Sequence, residues 1–508
     1  MFLTETELIN MKITSESKLN DSDIIKTLIQ DDILSISKLE MKTGEMYYNG
    51  EQDILKHNFN QTIVSSTDED ENEKLESFRN PNGSNHHNIN PFHKILVDQK
   101  VSYIAAKEPS ISVRGASDDT SLKEYEKYLS VFCNEKFNEM LQDWIMGASN
   151  KGIEVLHVYY NKNGDFKYCI VPAEEIIAIY DTEHQTELEQ VIRYYDIKVT
   201  RNGRTYLQKR VEWWTKNEVT YYIQNDAGNY EIDSSIRYNP SPHWWIQTLK
   251  EGFTVKNEKH SWGRVPFIIL KNNSKGTNDL KCIKGLIDAY DLISSSGTND
   301  FLDFVDLYWV IEGYGGEAAS SIVKKLQVNK SVHIDDTSGK VEAKQVDLPV
   351  EGRLEFLKML RRDIFHFGMG VDVDNENFGS APSGVSLKFR YAQLDLKVGM
   401  IIPKLKSAIK EFLWFVTDDY NRNNNASFDS NLIDIDINET IITNDYELVK
   451  MINESKGVVS DKTLLSKHPF VDDVNAEIEE IEAQQQKEEN RFLDYSIGDG
   501  GESHENTE

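Results

Sequence analysis

Cysteine is nearly missing from this 508-residue chain: Cys133, Cys169 and Cys282 are the only three, and no two form a CxxC pair. That excludes a disulfide framework and a cysteine-rich zinc site, and it makes a reducing compartment the simplest one. Basic charge is also short. Lys and Arg total 56 against 85 acids, for a net charge of −29. A protein that coats DNA through a broadly basic surface is thereby excluded, although weak contact with DNA is not. No apolar run approaches the ~20 residues of a membrane span, and the first ten residues lack the charged and apolar regions of a signal peptide. The most readable catalytic signatures are missing too. There is no GxxxxGK[ST] loop: Gly339-Lys340 is followed by Val341 and lacks the preceding glycine. Residues 313–316 and 368–370 lack the last glycine of a dinucleotide turn, and neither HExxH nor GxSxG occurs. No cofactor and no enzymatic activity are expected.

What is present points to folded, assembling domains. Apolar residues make up 39% and charged residues 28%, compatible with packed cores, and the length implies more than one unit. Residues 17–50 read as a helical lead-in carrying Ile24, Ile25, Leu28, Ile29 and Leu34. Residues 61–76 are polar and read as a flexible loop. Helices are predicted over 90–103, with Asn90 as cap and Pro91 in the first turn, and over 121–148. Short strands follow from 155 as far as Trp262, with Asn163-Gly164 marking a hairpin. A helix over 279–303, strands near 304–311 and 341–346, and a second helix over 351–367 come next. A polar loop, 371–383, leads into a third helix from Gly384, where Pro403 predicts a kink and residues 421–425 a stop. A last strand over 432–437 precedes further helices. The final 38 residues hold 13 acids and two bases, and their end is expected to be disordered.

Candidate chemistry is thin. Asp372, Asp374 and Glu376 alternate as at the start of a calcium loop, but Asn377 and Ser383 stand where glycine and glutamate are required, so a solvated acidic loop is the simpler reading. Residues 85–88, Asn-His-His-Asn, read as a polar turn. Asp279, Asp288 and Asp291 could serve two-metal cleavage, yet Asp288 and Asp291 lie one helical turn apart and read as a solvated or intersubunit face. Trp213, Trp214, Trp244, Trp245, Tyr221 and Tyr222 fit packing or subunit interfaces better than base stacking. Lys358, Arg361 and Arg362 form the densest basic group on a helix, near its C-terminus, where cations are favoured.

Ordered phrases carry more. Asn90-Pro91-Phe92-His93-Lys94-Ile95-Leu96-Val97-Asp98-Gln99-Lys100, then Tyr103, resembles a segment of bacteriophage portal proteins. The type is that of long-tailed siphophages infecting Gram-positive bacteria. Similar phrases follow in order: 150–154 with 171–175, 262–267 with 271–273, 279–280, 286–291, the Ser383-Gly384 helix start, and 458–464 with 469–471. The resemblance covers about residues 47–489.

This resemblance implies an α+β multidomain portal fold assembled as a cyclic, dodecameric ring at one capsid vertex. Double-stranded DNA would pass through its axial channel during packaging and ejection. Carried onto this chain, 1–60 is an N-terminal helical lead-in and 61–278 the first part of a strand-rich wing. Residues 279–303 and 349–370 are stem helices, with Asp288, Tyr290 and Asp291 on the first, and 304–348 is a small α/β clip. Residues 371–383 are a tunnel loop carrying Asp372, Asp374, Glu376, Asn377 and Phe378. The long kinked helix and the rest of the wing occupy 384–444, a helical crown 445–490 and an acidic tail 491–508. Lys358, Arg361 and Arg362 are candidate DNA-facing bases. The implied partners are the terminase large subunit, a head-completion adaptor, and major capsid and scaffolding proteins. The implied location is the virion, after assembly in the host cytoplasm, with no membrane. The alternatives are a metal-dependent nuclease of the packaging machinery or another capsid or tail structural protein.

Overall fold

The computed structural model describes residues 20–67, 73–79, 83–115, 119–201, 203–250, 253–303, 308–312, 340–344, 350–373, 384–437 and 445–471, with 474, 477, 478 and 480–487. They fall into two compact units, 1–372 with 393–440 and 373–392 with 441–508. In the first unit the lead-in is two helices, α1 (Asp21–Ile33) and α2 (Ile36–Tyr48). Asn20 caps α1 by accepting from the Asp23 N–H, and Ser35 caps α2 by accepting from Lys38; each supplies an acceptor to an otherwise orphaned first-turn donor. The polar stretch read as a flexible loop is instead an antiparallel hairpin, β1 (Gln61–Thr67) with β2 (Glu73–Arg79), in register from Gln61↔Arg79 to Thr67↔Glu73. Its β-branched residues, Thr62, Ile63, Val64 and Thr67, favour extended backbone and outweigh the polar composition.

Next come α3 (Phe92–Ala105), β3 (Ser110–Val113), α4 (Thr120–Phe132) and α5 (Glu135–Lys151). Pro91 itself occupies the N-cap of α3, without a capping hydrogen bond. The helix expected over 121–148 is divided, because Asn134 accepts from Lys136 and Phe137 and starts α5 afresh. Gly147 lies inside α5, which ends at left-handed Gly152, φ 93°.

The expected hairpin is β4 (Ile153–Tyr160) with β5 (Phe166–Val171). A meander follows: β6 (Ile176–Tyr180), β7 (Leu188–Arg201), β8 (Arg204–Trp214), β9 (Glu218–Gln224) and β10 (Tyr230–Ile232), with short β11 (Ser241–Pro242) on β9. Then β12 (Trp244–Lys250) pairs β13 (Phe253–His260), and β14 (Phe267–Lys271) joins β4. α1 seals one face of the meander, burying Ile24, Ile25, Leu28 and Ile29 against Ile179, Ile192, Val211 and Trp213. A second core joins β4 and β14 to β6–β8 through Val155, Phe267, Val191 and Trp214. Trp213, Trp214 and Tyr222 are thus core residues.

The chain continues as α6 (Lys284–Asp303), β15 (Tyr308–Glu312), β16 (Lys340–Lys344), α7 (Val350–Phe367), α8 (Gly384–Asn424) and β17 (Ile433–Asp436). β16 pairs with β15, joining the strands expected near 304–311 and 341–346. In α8, Leu394, Val398, Ile401, Leu405, Ile409, Phe412 and Val416 are buried at alternating three- and four-residue steps, one face of a 3.6-residue period. Asn425, at φ 48°, follows its last residue. β17 returns to pair β3, burying Ile433 and Ile435 while Asp434 meets Arg114. The second unit includes α9 (Asp445–Glu454) and α10 (Asp461–Leu465).

A Cβ at Gly44, inside α2, would stand 1.8 Å from the backbone oxygen of Asn150. Helix propensity alone favours alanine there by ~1 kcal/mol, whereas the contact forces α2 off α5. Gly44→Ala should therefore destabilise the protein by at least about 2 kcal/mol, lowering the urea midpoint of unfolding. An unchanged or raised midpoint would show that the two helices can separate without cost.

Candidate functional site

Residues 279–303 and 349–370, expected as stem helices, contain α6 and α7. Ile283 and Ile287, at the start of α6, pack with Ile364 and Phe365, near the end of α7, alongside Phe92 and Leu96 of α3. At the other end Arg353 donates to Asp300 at 2.7 Å, and a Cβ on Gly297 would fall 2.9 Å from the Arg353 guanidinium. The helices are therefore antiparallel, and Gly297 is the residue that admits Arg353.

A polar ladder fixes the segment before α3 along α6. The Asn299 side chain accepts from the His86 N–H at 2.7 Å and donates to the His86 carbonyl at 3.0 Å. The Asn88 N–H donates to Ser295 Oγ, and its amide to the Ser294 carbonyl and Thr298 Oγ1. Asn90 donates from both backbone and side chain to Asp291 Oδ1, at 3.1 and 2.8 Å. Two extended residues span about 6.7 Å and four helical residues about 6.0 Å, so 86, 88 and 90 match 299, 295 and 291 step for step. Residues 85–88 are therefore neither turn nor strand but an irregular segment hydrogen-bonded along α6, which corrects the polar-turn reading.

Asp291 is fully buried, not part of a solvated or intersubunit face. Burial pushes its carboxyl up to about 6, against the opposing Asn90 hydrogen bonds. Its Oδ2 has no hydrogen-bond partner among the described residues. Asp288 accepts from the Tyr47 hydroxyl and from Lys284 at 2.8 Å, and Lys284 also reaches Asp53 at 2.7 Å. Tyr290 packs edge-to-face on Phe92, with ring centroids 4.9 Å apart.

Asp279, just before α6, sits between two lysines. Lys100 of α3 and Lys397 of α8 approach its Oδ2 at 3.0 and 3.2 Å, and Asn272 donates to Oδ1 at 2.8 Å. Burial alone would push this carboxyl up, but Lys100 and Lys397 together hold it well below the usual carboxylate range. Burial lowers Lys100 to about 8 despite Asp279. Lys397 also donates to the Gly368 carbonyl at 2.9 Å, gripping the chain just past α7. Asp279, Asp288 and Asp291 thus have separate partners, and they do not converge as a two-metal site requires. Among the described residues no group of three His, Cys, Asp or Glu side chains is placed to hold a metal.

The entry to the 371–383 loop is pinned. Gln99 donates to the Val371 carbonyl at 2.8 Å and accepts from its N–H at 3.0 Å. Between Gly368 and Gly370 the left-handed residue is Met369, φ 55°. The glycines instead admit Leu96, which a Cβ would meet at 2.6 and 2.1 Å. Asp372 is engaged by Arg361 through two hydrogen bonds, at 2.8 and 3.1 Å. Lys358 pairs with Glu355 and Arg362 with Asp363, each at 3.0 Å, so every candidate base already has an acidic neighbour. Asp374, Glu376, Asn377 and Phe378 lie outside the described residues.

Asn88, Ser295, Asn299 and Lys397 were missed as positioning residues. The signal was an Asp291–Ser295–Asn299 stripe at four-residue spacing facing alternate residues in 86–90.

These features form a scaffold in which helices are held in register by buried polar contacts. A family model described as "Phage portal protein, SPP1 Gp6-like" matches residues 27–491. The portal protein of Bacillus phage SPP1 is 30% identical over 483 residues, 94% of this chain and 90% of that one. The portal protein of Clostridium phage phiCD119 is 31% identical over 471 residues, 88% and 93% of the two chains. The chain belongs to the phage portal protein family, and its function is that of a portal. The family is structural, and among the described residues no helix is long and apolar enough to cross a membrane.

Replacing Asp279 with alanine leaves two buried cations without their carboxylate and should cost about 3–5 kcal/mol, read as a lowered unfolding midpoint. Asp291 gives a pH signature. Its folded value, about 6, lies above the ordinary 3.8, so its stabilising contribution is complete below about pH 4 and lost as pH rises through 6. Asp291→Asn should be more stable than wild type at pH 8 and converge with it near pH 4. Parallel stability curves for the two proteins would contradict a buried charge at this position.

Proposed function

We propose that twelve copies of this chain close a ring at one capsid vertex and that double-stranded DNA is packaged and ejected through its axial channel. The observation that carries this reading is the antiparallel pairing of α6 with α7 around an intervening segment whose strands β15 and β16 also pair. Paired helices leading to a separate small module form a wall and a docking end, and repeating one heterologous interface closes a ring. Exposed Leu292, Leu354 and Phe356 on these helices give neighbouring copies apolar surface to bury.

In this reading 61–278 with 384–444 is the wing, 279–303 and 349–370 the stem, 304–348 the clip and 445–490 the crown. The terminase large subunit docks on the clip and supplies ATP hydrolysis. The head-completion adaptor later takes its place, while capsid and scaffolding proteins hold the ring in the shell. Residues 371–383 form the tunnel loop. Its root is fixed by Gln99 and Arg361, so Asp374 and Glu376, rather than Asp372, supply rings of negative potential that keep DNA from adhering. Asn377 and Phe378 form a steric collar. Lys358 and Arg362, exposed but each beside an acid, make only weak, salt-screened contacts with DNA.

Negative-stain images of purified protein should show rings with a central hole; monomers, tubes or lattices would sink the proposal. Changing Asp374 and Glu376 to lysine, with Asp372 left intact, should preserve rings but reduce the yield of DNA-filled particles. Wild-type infectivity from that double variant would remove the electrostatic role assigned to the loop.

A further inference from the structure

Strands β7 and β8 outrun their neighbours. β6 pairs with β7 only as far as Arg193, and β9 with β8 only from Arg210. Beyond those points the two continue as a two-stranded ribbon to the pair Arg201↔Arg204. Gln208 still ties the ribbon to β9, its amide donating to the Gln224 carbonyl at 2.7 Å. Residues 204–207 extend about 13 Å further. Residues 197–210 hold five bases, Lys198, Arg201, Arg204, Lys209 and Arg210, and no acid, in a chain with 85 acids and 56 bases. Lys198, Arg204, Tyr206, Leu207 and Lys209 are exposed. Among the described residues, Lys198, Arg204 and Lys209 have no ion pair or hydrogen-bond partner. The register sets Arg201 opposite Arg204, a like-charge pair that destabilises a ribbon standing alone.

Bases on a ribbon commonly serve to keep its open edges from pairing with other chains. Acids would serve better here, because other copies carry −29 and attract a basic ribbon rather than repel it. The bases also occupy both faces. Tyr194 packs toward α1, so strand alternation puts Lys198 and Lys209 on that side and Arg204 and Arg210 on the other. At the ribbon's base Asp196 lies opposite Lys209, and Arg210 reaches Asp233 at 3.9 Å. The tip stands farther from the acidic body than the ~8 Å Debye length at physiological salt, so its own charge governs what approaches.

We propose that this ribbon binds the groove of duplex DNA. The ~12 Å major groove admits a two-stranded ribbon, and phosphates then flank both faces, which matches bases on both sides. A flat acidic protein surface would engage only one. Exposed Tyr206 and Leu207 supply apolar contact within the groove.

The test uses full-length protein and covalently closed circular duplex DNA, which cannot thread a channel, titrated between about 50 and 200 mM salt. Binding should weaken with salt at about 0.9 log units per log unit for each phosphate contacted. The variant Lys198→Ala, Arg204→Ala, Lys209→Ala should keep its ring and its unfolding midpoint. Its binding should be at least about tenfold weaker at low salt, with a slope shallower by about 2.7. The charge-conserving variant Lys198→Arg, Lys209→Arg should bind as wild type does. No binding by wild type, or an unchanged slope in the triple variant, would overturn the proposal. Loss of self-association in the triple variant would also overturn it, marking the ribbon as a contact for an acidic protein surface.

Discussion

A single carboxylate between two lysines ties the start of α6 to α3 and α8. Asp279 receives Lys100 from α3 and Lys397 from α8, and Lys397 extends to the carbonyl at Gly368, just past α7. The start of α6, the end of α7 and the middle of α8 therefore meet at one buried charge cluster. Such a cluster adds little net stability compared with an apolar core, but removing one member leaves an uncompensated buried charge. It specifies where α3, α6, α7 and α8 meet, which apolar packing would leave more tolerant.

Apolar and polar contacts divide the work. The β-rich part is held by continuous apolar cores, beneath α1 and between β14, β4 and the meander. Along α6 the segment 86–90 is set instead by amides, hydroxyls and one carboxylate. A hydrogen-bonded ladder cannot slip by one residue without leaving donors unpaired, so it fixes register where a smooth apolar face would allow sliding. Gln99 applies the same logic at Val371, closing both backbone groups with one amide. The 371–383 loop thus departs from a fixed point, and Arg361 holds Asp372 beside it.

Much of the fold was legible in the sequence because its signals are local. The Asn163-Gly164 turn between β4 and β5, the start of α8 at Gly384 and its stop near 424 depend on neighbours within a few positions. The misreadings have local causes too. Polar composition hid the hairpin of β1 with β2, and one strong cap, Asn134, divided a helix whose apolar pattern ran through it.

The family, the order of elements and the acidic character were determined by the sequence itself, since ordered phrases, periodicity and charge survive without coordinates. Only the tertiary structure decided what each charge does. Asp288 and Asp291 are three residues apart, yet one meets Tyr47 and Lys284 while the other is buried against Asn90. Lys198, Arg204 and Lys209 look unremarkable in the chain until strand pairing carries them together past the end of the sheet. The reason is physical: a charge's role follows from its partner and its solvent exposure, and both are set by segments distant in the chain.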